Sequence, residues 1–120
     1  MVQPLRIWSY SRCSTCRKAL AWLEQQGLAG DVIDITESPP SRELLAEAAA
    51  FFGTRKPLFN TSGLSYRAFG SAVVKAMSDE EALDALAADG KLIKRPFLAL
   101  SDGQFLVGFK LDQWSQAFQR

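Results

Sequence analysis

The sequence predicts an α/β protein: a four-stranded mixed sheet flanked by helices, with a helical insertion between the second and third strands. Three observations carry that expectation. A strand pattern, a helix pattern and a second strand pattern follow one another within the first 35 residues, an order that favours a parallel strand pair joined by a right-handed crossover. Two apolar runs meet across Asp102-Gly103 near the other end, as the arms of a β-hairpin do. The patterns between these two parts are helical.

Each element has its own signal. Pro4 to Ser9 reads as the first strand, with Leu5 and Ile7 on one face and Arg6 and Trp8 on the other. The helix that follows carries Ala19, Leu20, Trp22 and Leu23 at helical spacing and stops at Gly27, which tolerates positive φ; Trp22 is expected in the core. Asp31 to Ile35 mixes acidic and apolar side chains as a strand with one buried face would. Thr36 to Pro40 breaks regular structure, and Ser41 caps a helix over 42–52 that turns Leu44, Leu45, Ala48 and Phe51 or Phe52 inward before Gly53. Residues 54–77 read as a loop with short helical turns. Ser78 and Glu81 form a capping box opening a helix with Ala82, Leu83, Leu86 and Ala87 inward, which ends before Gly90. The third strand is expected over Leu92 to Leu100 and the fourth over Gln104 to Phe109, with Ser101 or Gln104 able to lengthen the loop. Leu111, Trp114, Ala117 and Phe118 place the apolar stripe of a last helix against the sheet.

A chain of 120 residues is one domain by the usual prior, and buries roughly two thirds of its unfolded surface. Residues 1–120 are therefore read as a single domain with its insertion at about 41–90. At 48% apolar and 22% charged, the composition is that of a globular domain. No run approaches the roughly 18 apolar residues of a membrane span, and Met1-Val2-Gln3-Pro4 lacks the features of a signal peptide. A cytoplasmic monomer with no membrane contact is expected. Fourteen basic against thirteen acidic residues, a net charge of +1, argue against nucleic acid held by its phosphates. With two cysteines and no histidine, one chain cannot complete a zinc site from the usual Cys and His ligands, so no metal is expected.

Both cysteines lie in Ser11-Arg12-Cys13-Ser14-Thr15-Cys16-Arg17-Lys18, where the first strand gives way to the first helix. A C-x-x-C in that position reads as a thioredoxin-like redox motif. With the helix starting near Ser14, Cys13 sits at its cap, where unpaired N–H groups and the positive end of the helix dipole favour a thiolate; Arg12 and Arg17 add charge of the same sign. Cys13 is thus the expected nucleophile, with a pKa below the ~8.5 of a free thiol. Cys16, close to one turn on and deeper, is the expected resolving thiol. The alternative is a pair of small buried hydrophobes.

Arg95-Pro96 stands where the third strand opens. In a thioredoxin-like fold that position lies beside the cysteine loop, and a cis Arg95–Pro96 bond is expected there. Arg95 is then a thiolate and oxyanion partner, or else a surface charge.

Cys13-Ser14-Thr15-Cys16-Arg17-Lys18-Ala19, Ser38-Pro39-Pro40-Ser41, Leu58-Phe59-Asn60-Thr61-Ser62-Gly63 and Leu92-Ile93-Lys94-Arg95-Pro96 together resemble the arsenate reductase (ArsC) and Spx/MgsR family from end to end. The resemblance implies a thioredoxin-like (glutaredoxin-like) fold with a helical insertion and a reactive cysteine at position 13. It places Cys13 and Arg95 at the reductases' nucleophile and one of their oxyanion-binding arginines. Those reductases carry further arginines where this chain has Asn60 and Gly108, and usually serine at position 16, departures that weaken arsenate binding because a doubly charged oxyanion needs several fixed donors. Cys13, Cys16 and Arg95 are the expected catalytic residues, with Arg12, Ser14, Thr15, Arg17, Asn60 and Pro96 around the substrate. Two functions remain open at this point. One is a thiol-dependent reductase of arsenate or of mixed disulfides, with no bound cofactor, resolved by Cys16 or glutathione and fed by glutathione and glutaredoxin or by thioredoxin. The other, implied by the Spx-like branch, is a redox-sensing regulator that binds RNA polymerase and uses Cys13–Cys16 as its switch. A redox-inert scaffold is the third reading.

Overall fold

The computed structural model describes residues 5–119, which form two compact units: residues 5–34 with 95–119, and residues 35–94. Pro4, the expected first residue of the first strand, lies outside the described residues.

In the first unit, β1 (Leu5–Ser9), β2 (Gly30–Asp34), β3 (Phe97–Ala99) and β4 (Phe105–Val107) make one sheet in the order β2-β1-β3-β4. β1 and β2 are parallel and the other two pairings antiparallel, as a βαβ unit followed by a hairpin requires. Ile7 stands opposite Leu98, and Leu98 opposite Leu106. Because side chains alternate faces along a strand, this register puts Ile7, Leu98 and Leu106 on one face and Trp8, Phe97 and Phe105 on the other. The first face joins Leu5 and Leu100, Ala19 and Leu23 of α1 (Ser14–Gln25), and Trp114 of α6 (Leu111–Ala117) in one core. Trp22, expected in the core, packs at its margin and is partly buried. On the second face the Phe97 ring meets Trp8 edge-on at 5.5 Å and Phe105 at 5.8 Å.

α1 ends as its sequence predicts. Gly27 takes φ 69° and donates to the Glu24 carbonyl, while the Leu28 N–H reaches the Leu23 carbonyl at 2.9 Å, the paired bonds that close a helix on a left-handed residue.

Three expectations in this unit need correction. β2 has no buried apolar face: Val32 is 58% exposed, and the fully buried Ile35 lies just past the strand. β2 is an edge strand of the sheet, so the alternation in Asp31–Ile35 carries less burial than its composition suggests. The third strand is also shorter than expected. Leu92 closes a 3-10 turn (Gly90–Leu92) and Ile93 makes an isolated bridge to Phe59, so both belong to the second unit. Pro96 has no N–H to give a ladder, and the strand opens directly after it. Finally, Leu111 is 54% exposed at the first position of α6, leaving Trp114 as the buried anchor of that helix. The hairpin loop is the longer of the two forms considered, closed by the Leu100 N–H on the Gln104 carbonyl at 2.9 Å.

The second unit is helical: α2 (Arg42–Phe52), a 3-10 turn (Lys56–Leu58), α3 (Leu64–Phe69), α4 (Ser71–Ala76) and α5 (Asp79–Ala88). Ser41 caps α2 by accepting the Leu44 N–H at 3.1 Å, and Ser78 and Glu81 exchange both bonds of the capping box at 3.1 Å. Leu44, Leu45 and Ala48 face inward; Phe51 is exposed and Phe52 half-buried. Residues 54–77, read as a loop with helical turns, are held by Arg55, whose guanidinium binds Asp79 at 2.8 Å and the Val74 and Met77 carbonyls at 3.1 and 2.6 Å. Arg42 pairs with Glu80 and Asp84 from α2 to α5. These exposed pairs contribute little; the apolar stripe of Leu45, Ala82, Leu86 and Leu92, none of it exposed, carries the packing. Among the described residues, no helix is long and apolar enough to cross a membrane.

Candidate active site

The site is built where β1 ends and α1 begins. Ser9 is the last residue of β1; Tyr10 turns the chain, its carbonyl accepting the Cys13 N–H at 3.0 Å. Cys13 is the N-cap of α1 in an extended conformation, and its sulfur accepts the Cys16 N–H at 3.2 Å. A sulfur thus fills the place usually held by a serine, threonine or aspartate oxygen. The cap has a function as well as a structural part: an N–H aimed at the sulfur favours its anion.

Cys13 is partly exposed and Cys16 fully buried, and both are free thiols. Their acidities are pushed apart. For Cys13, burial acts to raise the pKa, but hydrogen bonds from the Cys16 thiol and N–H, then the hydrogen bond and charge of Arg95, outweigh it and lower the pKa below the ordinary thiol value. Cys16 moves the other way, to about 11, through burial first and then its bond to the Cys13 sulfur, against hydrogen bonds from the Tyr10 main chain and the Ser9 side chain. The two sulfurs therefore ionise in order, the outer one first, and the inner one keeps its proton to the higher pH.

Arg95 comes from the start of the hairpin. The cis Arg95–Pro96 bond is present as the sequence predicts, with Pro96 buried, and β3 lies beside β1, which carries Arg95 to the cysteine loop. Its guanidinium rests on the Tyr10 ring, 5.1 Å from the centroid, and reaches Cys13. A cation stacked on an aromatic ring stays in place more firmly than one on a free stem.

The other expected site residues divide. Ser14 and Thr15 are the first two residues of α1, and Arg12 and Arg17 flank the pair; all four side chains are exposed. The fixed cation acting on Cys13 is Arg95, which takes the role expected of Arg12 and Arg17. Asn60 belongs to the second unit, where its N–H donates to the Leu92 carbonyl at 2.8 Å and its side-chain oxygen accepts from Ser62. Gly108 adopts φ 69° and donates its N–H to the Pro96 carbonyl at 2.9 Å. That left-handed backbone strains any residue with a side chain, so this chain's glycine suits its own turn. Sequence reasoning missed Ser9 and Tyr10. Their signal was position: Ser9 falls on the Leu5 and Ile7 face of the strand, and Tyr10 puts an aromatic ring directly before the cysteine loop. Among the described residues, no group of three or more His, Cys, Asp or Glu stands together to hold a metal.

With that geometry in place, the ArsC family model matches residues 8–117. The chain belongs to the ArsC family. Its sheet and flanking helices are accordingly thioredoxin-like. The chain is 44% identical over 115 residues to YusI of Bacillus subtilis, an uncharacterized protein, covering 93% of this chain and 96% of YusI. It is 34% identical over 93 residues to an arsenate reductase of Rhizobium meliloti, covering 77% of this chain and 66% of that protein. A crystal structure described as a possible arsenate reductase from Streptococcus mutans superposes with a TM-score of 0.83 at 38% identity, covering 92% of this chain and 97% of that one.

Proposed function

We propose that this ArsC-family protein is a thiol–disulfide oxidoreductase that reduces mixed disulfides through Cys13. The carrying observation is the split pair: the Cys13 pKa lowered and the Cys16 pKa raised, an outer nucleophile and an inner thiol that holds its proton until needed. In the first step the Cys13 thiolate attacks one sulfur of the substrate disulfide. A Cys13–sulfur bond forms, the substrate S–S bond breaks, and the departing thiolate leaves with the electron pair and takes up a proton. In the second step Cys16, losing its proton, attacks the Cys13 sulfur; the Cys13–Cys16 disulfide forms and the second substrate thiol departs. Two electrons have passed from the protein to the substrate, and an external thiol, thioredoxin or glutathione with glutaredoxin, returns them.

A mixed disulfide is favoured over arsenate by charge. A doubly charged oxyanion calls for several fixed donors. Here Arg95 is the guanidinium that reaches Cys13, and the Gly108 N–H is already bonded to Pro96.

The test is turnover of a glutathione mixed disulfide and of arsenate, each with thioredoxin and with glutathione plus glutaredoxin as donor. Mixed-disulfide turnover that vanishes in Cys13→Ser supports the proposal, and faster arsenate turnover would replace the substrate. No turnover with any thiol system, together with oxidation-dependent capture of RNA polymerase, would shift the assignment to a regulator.

A further inference from the structure

The resolving step needs something the nucleophilic step does not. Cys16 is fully buried, and an anion there is costly without a partner. In the resting pair its proton bonds to the Cys13 sulfur. Once Cys13 is joined to a substrate sulfur, it carries no negative charge, and Cys16 must ionise in place to attack. What remains around it is the end of β1.

We propose that the Ser9 hydroxyl is a positioning residue for this second step, donating a hydrogen bond that stabilises the Cys16 thiolate as it attacks Cys13. Ser9 is the last residue of β1 and 6% exposed. Alternation along the strand turns it to the same face as Leu5 and Ile7, the face α1 packs on through Ala19 and Leu23, and Cys16 lies one turn before Ala19 on that helix. From that place the Ser9 side chain acts on Cys16 in the direction that eases its ionisation. The Cys16 proton lies towards the Cys13 sulfur while Cys16 is a thiol, and the Ser9 hydroxyl, free to rotate, donates to the Cys16 sulfur and binds it more strongly once it is an anion. The Tyr10 main chain adds a second bond to the same sulfur. In the step so assisted, the Cys16 proton passes to solvent or to the departing thiolate, the Cys16–Cys13 bond forms, and the Cys13–substrate bond breaks with its electron pair on the leaving sulfur.

This inference rests on the redox reading above, and the experiment separates the two. One equivalent of an aryl disulfide that liberates thionitrobenzoate is mixed with the fully reduced protein. A first release reports attack by Cys13, and a second reports displacement by Cys16. In Ser9→Ala the loss of a hydrogen bond to a charged group cuts the Cys16 thiolate fraction about tenfold, while the more basic sulfur gains about threefold in nucleophilicity. The second release is therefore about threefold slower below its inflection, about threefold faster on the alkaline plateau, and inflects about one unit higher. A merely structural loss slows it at every pH. Ser9→Thr and Ser9→Val, equal in shape, repeat the comparison should alanine disturb the strand: threonine keeps the parent profile and valine shifts it. An intact first release with an unshifted second in Ser9→Ala, or identical profiles for threonine and valine, overturns the role of Ser9. Absence of the first release overturns the Cys13 reading, and this inference with it.

Discussion

Replacing Cys13 by alanine is expected to make Cys16 more acidic. In the reduced protein Cys16 is raised from 9.0 to about 11, two units, or about 2.7 kcal/mol at 1.36 kcal/mol per unit. At pH 9 this holds the Cys16 thiolate near one part in a hundred rather than one half. Burial is the largest cause, followed by the hydrogen bond to the Cys13 sulfur and, further down, the Cys13 charge; Ser9 and Tyr10 oppose all three. Cys13→Ala removes both contributions of Cys13 and leaves both opposing bonds, so the remaining thiol titrates below about 11. Ultraviolet thiolate absorbance against pH gives the value directly. In the parent the same titration has two steps, the lower belonging mainly to Cys13 and lying beneath the free-thiol value. Stability follows with a definite sign. A folded-state pKa above the unfolded one contributes stability that is present below about pH 9 and lost as pH rises towards 11. The alkaline loss from Cys16, up to about 2.7 kcal/mol in the parent, is smaller in Cys13→Ala. A variant that still titrates at or above about 11 refutes the reasoning, because burial alone would then hold the proton and substrate capture at Cys13 could not release it.

Three further predictions test the surroundings of the site. Arg95→Met removes a hydrogen bond and a charge that lower the Cys13 pKa, so its reaction with an aryl disulfide slows severalfold at neutral pH and recovers at alkaline pH; an unchanged rate profile counts against the arginine. Trp114→Phe strips the Nε1–H from the Gly108 carbonyl, a 3.1 Å bond in a fully buried ring, costing about 1–3 kcal/mol for the lost partner and about 1 kcal/mol of apolar burial. In a domain of this size that lowers Tm by about 10 °C, and a urea midpoint shift worth less than about 1 kcal/mol would contradict it. Glu81, lowered in pKa mainly by the Ser78 N–H and then the Ser78 hydroxyl, contributes stability that is present above its ordinary value of 4.5 and lost as pH falls through the folded value; Glu81→Gln flattens the acid limb of the stability curve, and an unaltered limb removes the carboxylate from the account.

What the sequence determined by itself is what depends on neighbours in the chain. The cap at Cys13, the closing glycine of α1, the Ser41 cap and the Ser78–Glu81 box are made by residues within a few positions of one another, so composition and spacing suffice to read them. The strand–helix–strand start and the hairpin are legible for the same reason, as is Pro96 at the opening of β3. Tertiary structure decided the rest. Val32 looks like core by composition, and only the strand order shows that β2 is an edge. Leu92 and Ile93 look continuous with β3, and only the bridge to Phe59 shows where they belong. The same holds at the site. The cysteine pair is local, but the cation that adds to the lowering at Cys13 comes from β1 lying beside β3, which brings Arg95 onto Tyr10 and Cys13, and the proton on Cys16 is held first by its burial in the assembled fold. Hydrogen bonds and charges act across a few ångströms of space whatever the distance along the chain, and that closeness is settled only when the sheet is assembled.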